Sequence, residues 1–269
     1  MFDNKTFFNY IAEHNEDGAI KYMQDNNPDY LYKFYSLSDK VTDELDRKKL
    51  DTLRSNSNWF DLSEHQNDPL DMRMAYASNE LHNDASSKQV ELAEAFFTTL
   101  QKSMVLCSFS ALDQFNLPMW SNYANNHKGY CIKYKITKKC AIIWRIIYEE
   151  NRIPTLAIPL DLLYAMEKSN DRGYETPELE QNCCLALLLL DIKHSSWQHE
   201  EEYRLLMPAI GDGGSNFRND ELGIIPTDVY IGKNCILEYE KEIKTICQKI
   251  LKCNCYKAVT SKNKILDFI

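Results

Sequence analysis

The sequence predicts an α+β fold, with a mixed, mostly antiparallel sheet flanked by helices. Three observations carry that expectation. Aromatic and β-branched runs such as Leu31–Tyr35 and Gly129–Ile136 read as strands. Capped amphipathic stretches such as Ser86–Leu100 read as helices. The two kinds do not alternate strictly, which favours α+β over a doubly wound parallel layer. The boundaries expected are a helical extension over residues 1–30 and a single α+β domain over 31–269.

Phe7–Gln24 reads as one helix, with Ile11, Ala19, Ile20 and Met23 inward. Pro28 ends it, because proline lacks an N–H and restricts the residue before it. Leu31–Tyr35 follows as a strand. Thr42 caps a helix running to Leu53, with Leu45, Leu50 and Leu53 apolar. Trp59-Phe60 opens an irregular stretch that ends in Asn67-Asp68-Pro69-Leu70-Asp71. Ser86 with Gln89 makes a capping box, and Leu92, Ala93, Phe96, Phe97 and Leu100 share one helix face. Met104–Phe109, Gly129–Ile136 and Ala141–Tyr148 read as strands, with a polar aromatic loop over Ala111–Lys128. Thr176 caps the next helix, Pro177 suits its first position, and Cys184–Ile192 is apolar nearly all round. Glu202–Met207 and Asp228–Gly232 read as strands, with Gly211–Asn216 a mobile loop between them. Glu238–Lys252 reads as an amphipathic helix with Tyr239, Ile243, Ile246 and Ile250 inward, and Cys255–Val259 as a last strand.

Composition narrows the function classes. The chain has 269 residues, 44% apolar and 26% charged, enough to bury a core. Eight glycines argue against a fold with several glycine-rich phosphate loops. A net charge of -9 disfavours non-specific nucleic-acid binding, which depends on cations neutralising phosphates. The one short basic run, Lys133–Lys139, reads as a solvated strand and turn. Nine cysteines show no CxxC pair or other metal spacing; Cys183-Cys184 and Cys253-Asn254-Cys255 are the nearest neighbours. They read as reduced thiols of a cytoplasmic protein, with no metal. The N-terminus has no secretion signal pattern, and the apolar run Leu185–Leu190 is too short to cross a bilayer.

Six motifs recur in order: Leu31-Tyr32-Lys33-Phe34, Asn67-Asp68-Pro69-Leu70-Asp71, Cys107-Ser108-Phe109-Ser110, Met119-Trp120-Ser121-Asn122-Tyr123-Ala124, His127-Lys128-Gly129-Tyr130-Cys131-Ile132, and Trp197-Gln198-His199-Glu200-Glu201-Glu202-Tyr203-Arg204. Together they resemble a bacterial domain-of-unknown-function family, number 2971, from about Leu31 to Gly232. That family carries no settled activity; its members often look like accessory or antiviral genes.

A looser resemblance is to ADP-ribosyltransferases, which present a cation on an early strand, Ser-x-Ser on a middle strand and Glu-x-Glu near a late one. Lys33, Ser108-Phe109-Ser110 and Glu200-Glu201-Glu202 stand in that order. The resemblance implies NAD as substrate and no metal. Lys33 would hold the pyrophosphate, Ser108 and Ser110 the nicotinamide ribose, and Glu202 with Glu200 the oxocarbenium-like centre. Lys33 departs from the usual Arg or His and lacks a bidentate fork. The Glu triplet sits beside Arg204, so a plain ion pair also accounts for it.

Ser108 and Ser110 share a face of their strand, as an ordinary half-buried strand would also require. Trp120, Tyr123 and His127, at i, i+3 and i+7, could line one side of a helical turn. They then form either an aromatic wall for a base or nicotinamide ring, or a packed aromatic cluster. Asp68 and Asp71 belong either to a turn or to a substrate hydroxyl contact. Cys107 with His127 is the least implausible nucleophile pair, and spacing alone does not support it.

Two functions follow. One is an NAD-consuming ADP-ribosyltransferase or NAD glycohydrolase, an antiviral or toxin component acting on a small-molecule nucleotide and a macromolecular acceptor. It requires the Ser108 and Glu202 strands to be neighbours. The other is a non-catalytic module sensing a nucleotide or phage protein. It requires an aromatic pocket with Glu200 and Glu202 consumed by internal ion pairs. A nuclease is disfavoured by the acidic balance. No membrane association is expected.

Overall fold

The computed structural model describes residues 2–68, 70–80, 85–137, 143–173, 177–211 and 213–269. Helices α1 (Asn4–Ala12) and α2 (Glu16–Asp25) lead into β1 (Tyr30–Tyr35), α3 (Glu44–Arg54), β2 (Ser57–Leu62) and β3 (Ala75–Ala77). Next come α4 (Ser87–Lys102), β4 (Met104–Ser110), α5 (Leu117–Asn122), β5 (Tyr130–Ile136), β6 (Ile143–Arg145), β7 (Ile147–Glu149) and β8 (Ile153–Thr155). Then follow α6 (Ala157–Arg172), α7 (Pro177–Leu190), β9 (Ile192–His194), β10 (Glu202–Pro208), β11 (Ser215–Arg218), β12 (Ile224–Ile231), α8 (Leu237–Ile246), β13 (Asn254–Val259) and β14 (Asp267–Phe268).

The fold is α+β. One ten-stranded sheet runs β11-β2-β4-β1-β5-β12-β13-β14, with β10 beside β4 and β6 beside β10. Its pairs are antiparallel except β12–β13. β3–β8 and β7–β9 are small parallel pairs. The sheet forks at β4. One edge of β4 is covered along its length by β10, from Glu202↔Ser110 to Pro208↔Met104. Near its start β4 pairs with β2 through Leu106 and Val105, and at its end with β1 through Tyr32↔Ser110. Between these contacts Ser108 has no register partner on β1 or β2.

Two apolar clusters are the largest among the described residues. One is built on β1, β4, β5, β10 and β12 under α3 and α8, with Leu31, Phe109, Tyr134, Leu205 and Tyr239 inside it. The other gathers α1, α2 and α7 around Phe7, Met23, Trp144 and Leu185–Leu190. β1 and β5 approach so closely that a Cβ on Gly129 would lie 1.7 Å from the Tyr35 carbonyl oxygen. Only glycine fits there.

Several elements differ from the expectation. The expected helix Phe7–Gln24 is two helices: His14 is left-handed at φ 52 and Asn15 caps α2, accepting from the Gly18 N–H at 2.9 Å. Asp43 rather than Thr42 caps α3, and Leu45 is exposed while Leu50 and Leu53 are buried. Trp59-Phe60 lies in strand β2, not an irregular stretch, because β4 and β11 supply pairing edges. On α4, Ala93 and Phe97 are buried but Leu92 is exposed, although the Ser86–Gln89 capping box forms. The Ala111–Lys128 loop contains α5. Tyr148 falls in β7 and Ile143 in β6, two short strands rather than one; Ala141 lies outside the described residues, as does Thr176. α6 has no counterpart in the expectation and packs on α7. Ile192 belongs to β9, Ser215 and Asn216 to β11, and the Asp228 strand starts at Ile224. α8 closes in a π turn over Cys247–Leu251, which leaves Ile250 exposed.

Candidate functional site

The fork at β4 creates a cleft of about 270 Å³. β1 supplies Tyr32, Lys33 and Phe34, β4 supplies Ser108 to Ser110, and β10 supplies Glu202. Tyr123, Lys193, Glu200 and the segment from His65 to Asn67 with Asp71 close it. Six expected site residues therefore share one cleft: Lys33, Ser108, Ser110, Tyr123, Glu200 and Glu202.

Lys33 Nζ donates to the Ser108 carbonyl at 2.8 Å, the group the fork leaves without a strand partner. The ammonium also lies 5.6 and 5.3 Å from the ring centroids of Tyr35 and Phe109. It retains further N–H donors for an anion, since an ammonium has three. Ser110 is spent on backbone: its Oγ donates to the Glu200 carbonyl at 2.6 Å and accepts from the Leu112 N–H at 3.0 Å. It fixes the turn that carries Glu200 instead of offering a free hydroxyl.

The floor of the cleft is a buried chain of charges. Arg204 donates to both oxygens of Asp71, at 2.6 and 2.7 Å, and through Nε to Glu202 at 2.7 Å. Lys193 Nζ bridges Glu200 at 2.9 Å and Glu202 at 3.0 Å. Tyr123 donates to Glu200 and receives a hydrogen bond from Asn67 Nδ2 at 3.1 Å. Lys193, Glu200, Glu202, Arg204 and Asp71 are all buried. β pleating explains the pairing: Glu202 and Arg204 lie two residues apart on β10, so both face the same side.

Burial alone would raise the Glu202 carboxyl. The Arg204 guanidinium and Lys193 ammonium, helped by hydrogen bonds from Arg204 and Ser108, outweigh it and hold the group at about 2. Burial works against the Lys193 charge too, but Glu202 and Glu200 raise it above its ordinary value. Burial, with the hydrogen bond to Glu200, pushes the Tyr123 phenol up, so it stays a donor. Formally the chain holds three carboxylates and two cations, leaving one negative charge.

Trp120 and His127 stand elsewhere and do not line the cleft. The expected helical spacing fails because α5 stops at Asn122 and Asn125, Asn126 and His127 are left-handed, at φ 47, 54 and 66. Trp120 is fully buried, stacks on the His127 ring at 5.4 Å and donates through Nε1 to the Gln114 carbonyl at 2.7 Å. The packed-cluster reading holds for this pair; Tyr123 alone turns to the cleft. Cys107 is buried, and burial pushes its thiol up against the pull of Lys33, which disfavours the thiolate that a nucleophile needs. Asp68 closes a turn, accepting from the Leu70 N–H at 2.9 Å, while Asp71 is the Arg204 partner. Lys193 was invisible to pattern reading: one polar residue after an apolar helix has no motif. Among the described residues, no group of three or more His, Cys, Asp or Glu could hold a metal.

Fold and cleft define an α+β protein with a small cleft over a buried ion network. Residues 119–205 match the model of the family described as Protein of unknown function (DUF2971), which supports the family resemblance read from the motifs. The matched segment contains the Trp120, His127 and Trp197–Arg204 motifs. No curated protein and no solved structure matches the chain. No helix among the described residues is long and apolar enough to cross a membrane.

Proposed function

We propose that the cleft binds NAD as a substrate and that the protein is an ADP-ribosyltransferase or NAD glycohydrolase. One observation carries this reading: Lys33, Ser108 and Glu202 come from three adjacent strands into one cleft, with Glu202 opposite Ser110 across the β4–β10 pair. That adjacency was a condition that the fold could have failed.

The chemistry agrees with the charges. In the reaction the bond between the ribose C1 and the nicotinamide nitrogen breaks, and its electron pair leaves with nicotinamide. An acceptor nucleophile, or water, bonds to C1 and gives up a proton. Positive charge develops on the ribose, beside a cluster with one formal excess negative charge. A carboxyl held at about 2 is ionised at neutral pH, so Glu202 acts by electrostatic stabilisation rather than as a general acid or base. The cleft, about 270 Å³, lies just below the range of about 300–1,000 Å³ common for ligand sites. It suits the nicotinamide riboside half, with Lys33 toward the pyrophosphate and the remainder over the open rim.

A second reading, a module that senses a nucleotide or phage protein without turnover, is favoured by a different observation. Both Glu200 and Glu202 are engaged by Lys193, and Glu202 also by Arg204. The experiment that separates the two is NAD turnover by purified protein, alone and with cell lysate as a source of acceptors, with Glu202→Gln as control. Nicotinamide release or label transfer that the variant abolishes supports the enzyme. Saturable NAD binding with no turnover supports the sensor.

A further inference from the structure

At the end of α8 the helix widens into its π turn, Lys252 reverses the chain at φ 53, and β13 begins at Asn254. This brings three thiols together away from the cleft. Cys247 is buried in the main core, and Cys253 and Cys255 pack against that core half-buried. The Cys253 N–H donates to the Cys247 carbonyl at 3.3 Å. A backbone contact of that kind sets two Cα atoms near the separation that disulfides use, about 4.4–6.8 Å.

We propose that Cys247 and Cys253 are a modification site, forming an intramolecular disulfide when the protein meets a peroxide. Cys253 is the attacking sulfur. Cys253 is half-buried where Cys247 is buried, so a peroxide reaches it first, and its thiolate is the nucleophile. It attacks a peroxide oxygen, the O–O bond breaks, and Cys253 becomes a sulfenic acid with release of hydroxide, which takes up a proton to become water. Cys247 then attacks that sulfur, the S–O bond breaks, and the oxygen leaves as water with the Cys247 proton. Two thiols lose two electrons in all, and one hydrogen peroxide becomes two waters. Cys255, fixed in β13 opposite Val229, is left reduced.

The test exposes the reduced, folded full chain to a small excess of hydrogen peroxide, alkylates the remaining thiols under denaturing conditions and maps tryptic peptides by mass. The expected result is a chain lighter by two hydrogens before alkylation, with the Cys247 and Cys253 peptides joined and released by dithiothreitol. Cys253 and Cys255 share a tryptic peptide, so serine variants assign the partner. The link should persist in Cys255→Ser and vanish in Cys253→Ser, a half-buried position that tolerates the change. Full alkylation of all nine cysteines after peroxide, or a link that survives in Cys253→Ser, would overturn the proposal.

Discussion

Asp71 and Arg204, 133 residues apart in sequence, form a two-pronged pair at 2.6 and 2.7 Å in the interior beneath the cleft. The turn motif that ends in Asp71 is thereby tied to the strand that carries Glu202. Removing Asp71 breaks a buried pair and strips two N–H groups of the Arg204 guanidinium of these acceptors, leaving Glu202 as its carboxylate partner. Asp71→Ala is therefore expected to destabilise the protein by about 3–5 kcal/mol, measured by urea unfolding. A loss under about 1 kcal/mol, the value of an exposed pair, would show that Arg204 is not buried as described.

Glu202→Gln keeps the shape of the side chain and removes its charge. Under the proposed enzyme, NAD turnover is expected to fall about 100- to 1,000-fold, as when one electrostatic contact to a transition state is lost. NAD affinity should change little. Equal turnover by variant and parent would exclude an electrostatic role for Glu202.

Glu202 also sets an acid limb. Its folded pKa, about 2, lies below the ordinary 4.5, so it contributes stability that is complete above 4.5 and is lost as pH falls toward 2. Unfolding free energy measured from pH 6 down to 2.5 should decline less steeply in Glu202→Gln than in the parent. Parallel curves would mean the group is not held ionised.

Asp191 behaves in the opposite sense. It is fully buried and neither carboxyl oxygen has a hydrogen-bond partner. Burial, with Glu202 and Asp71 nearby, raises its pKa well above 3.8 despite the pull of Arg204. The unfolded chain ionises first, so stability falls as pH rises above 3.8, by about 1.4 kcal/mol per unit until the folded group ionises. Asp191→Asn should match the parent near pH 3.5 and exceed it in stability at pH 7. Equal stability of the two at both pH values would contradict the raised pKa.

Trp120 and Lys33 separate core from cleft. Trp120→Ala is expected to cost about 3–5 kcal/mol, as for other large buried aromatics. Lys33→Ala should weaken nucleotide binding measured by calorimetry, while His127→Ala should leave it unchanged. A binding defect in His127→Ala would return that ring to the site.

Strand and helix identities were largely legible. The aromatic strand Tyr30–Tyr35, the capping box at Ser86 and the apolar helix before Leu190 announce themselves through local pairing, capping and periodicity. α6 did not, because Pro159 and its polar residues mask a weak apolar face that is buried only once α7 and α4 pack against it. β2 was likewise hidden, since a strand beginning Ser57-Asn58 owes its form to neighbours. Of the site, the residue types at Lys33, Ser108 and Glu202 were visible. Their convergence was not, because β4–β10 pairing joins residues about 90 apart.

The sequence by itself determined the α+β class, most elements and the residues that carry charge and hydroxyls, since these depend on side-chain type and short-range spacing. Tertiary structure alone decided how those groups are used. It forked the sheet at Ser108, engaged Lys33 there and turned Trp120 into core. It also set Lys193 between Glu200 and Glu202, because a buried charge takes whatever partner the packed chain brings within reach.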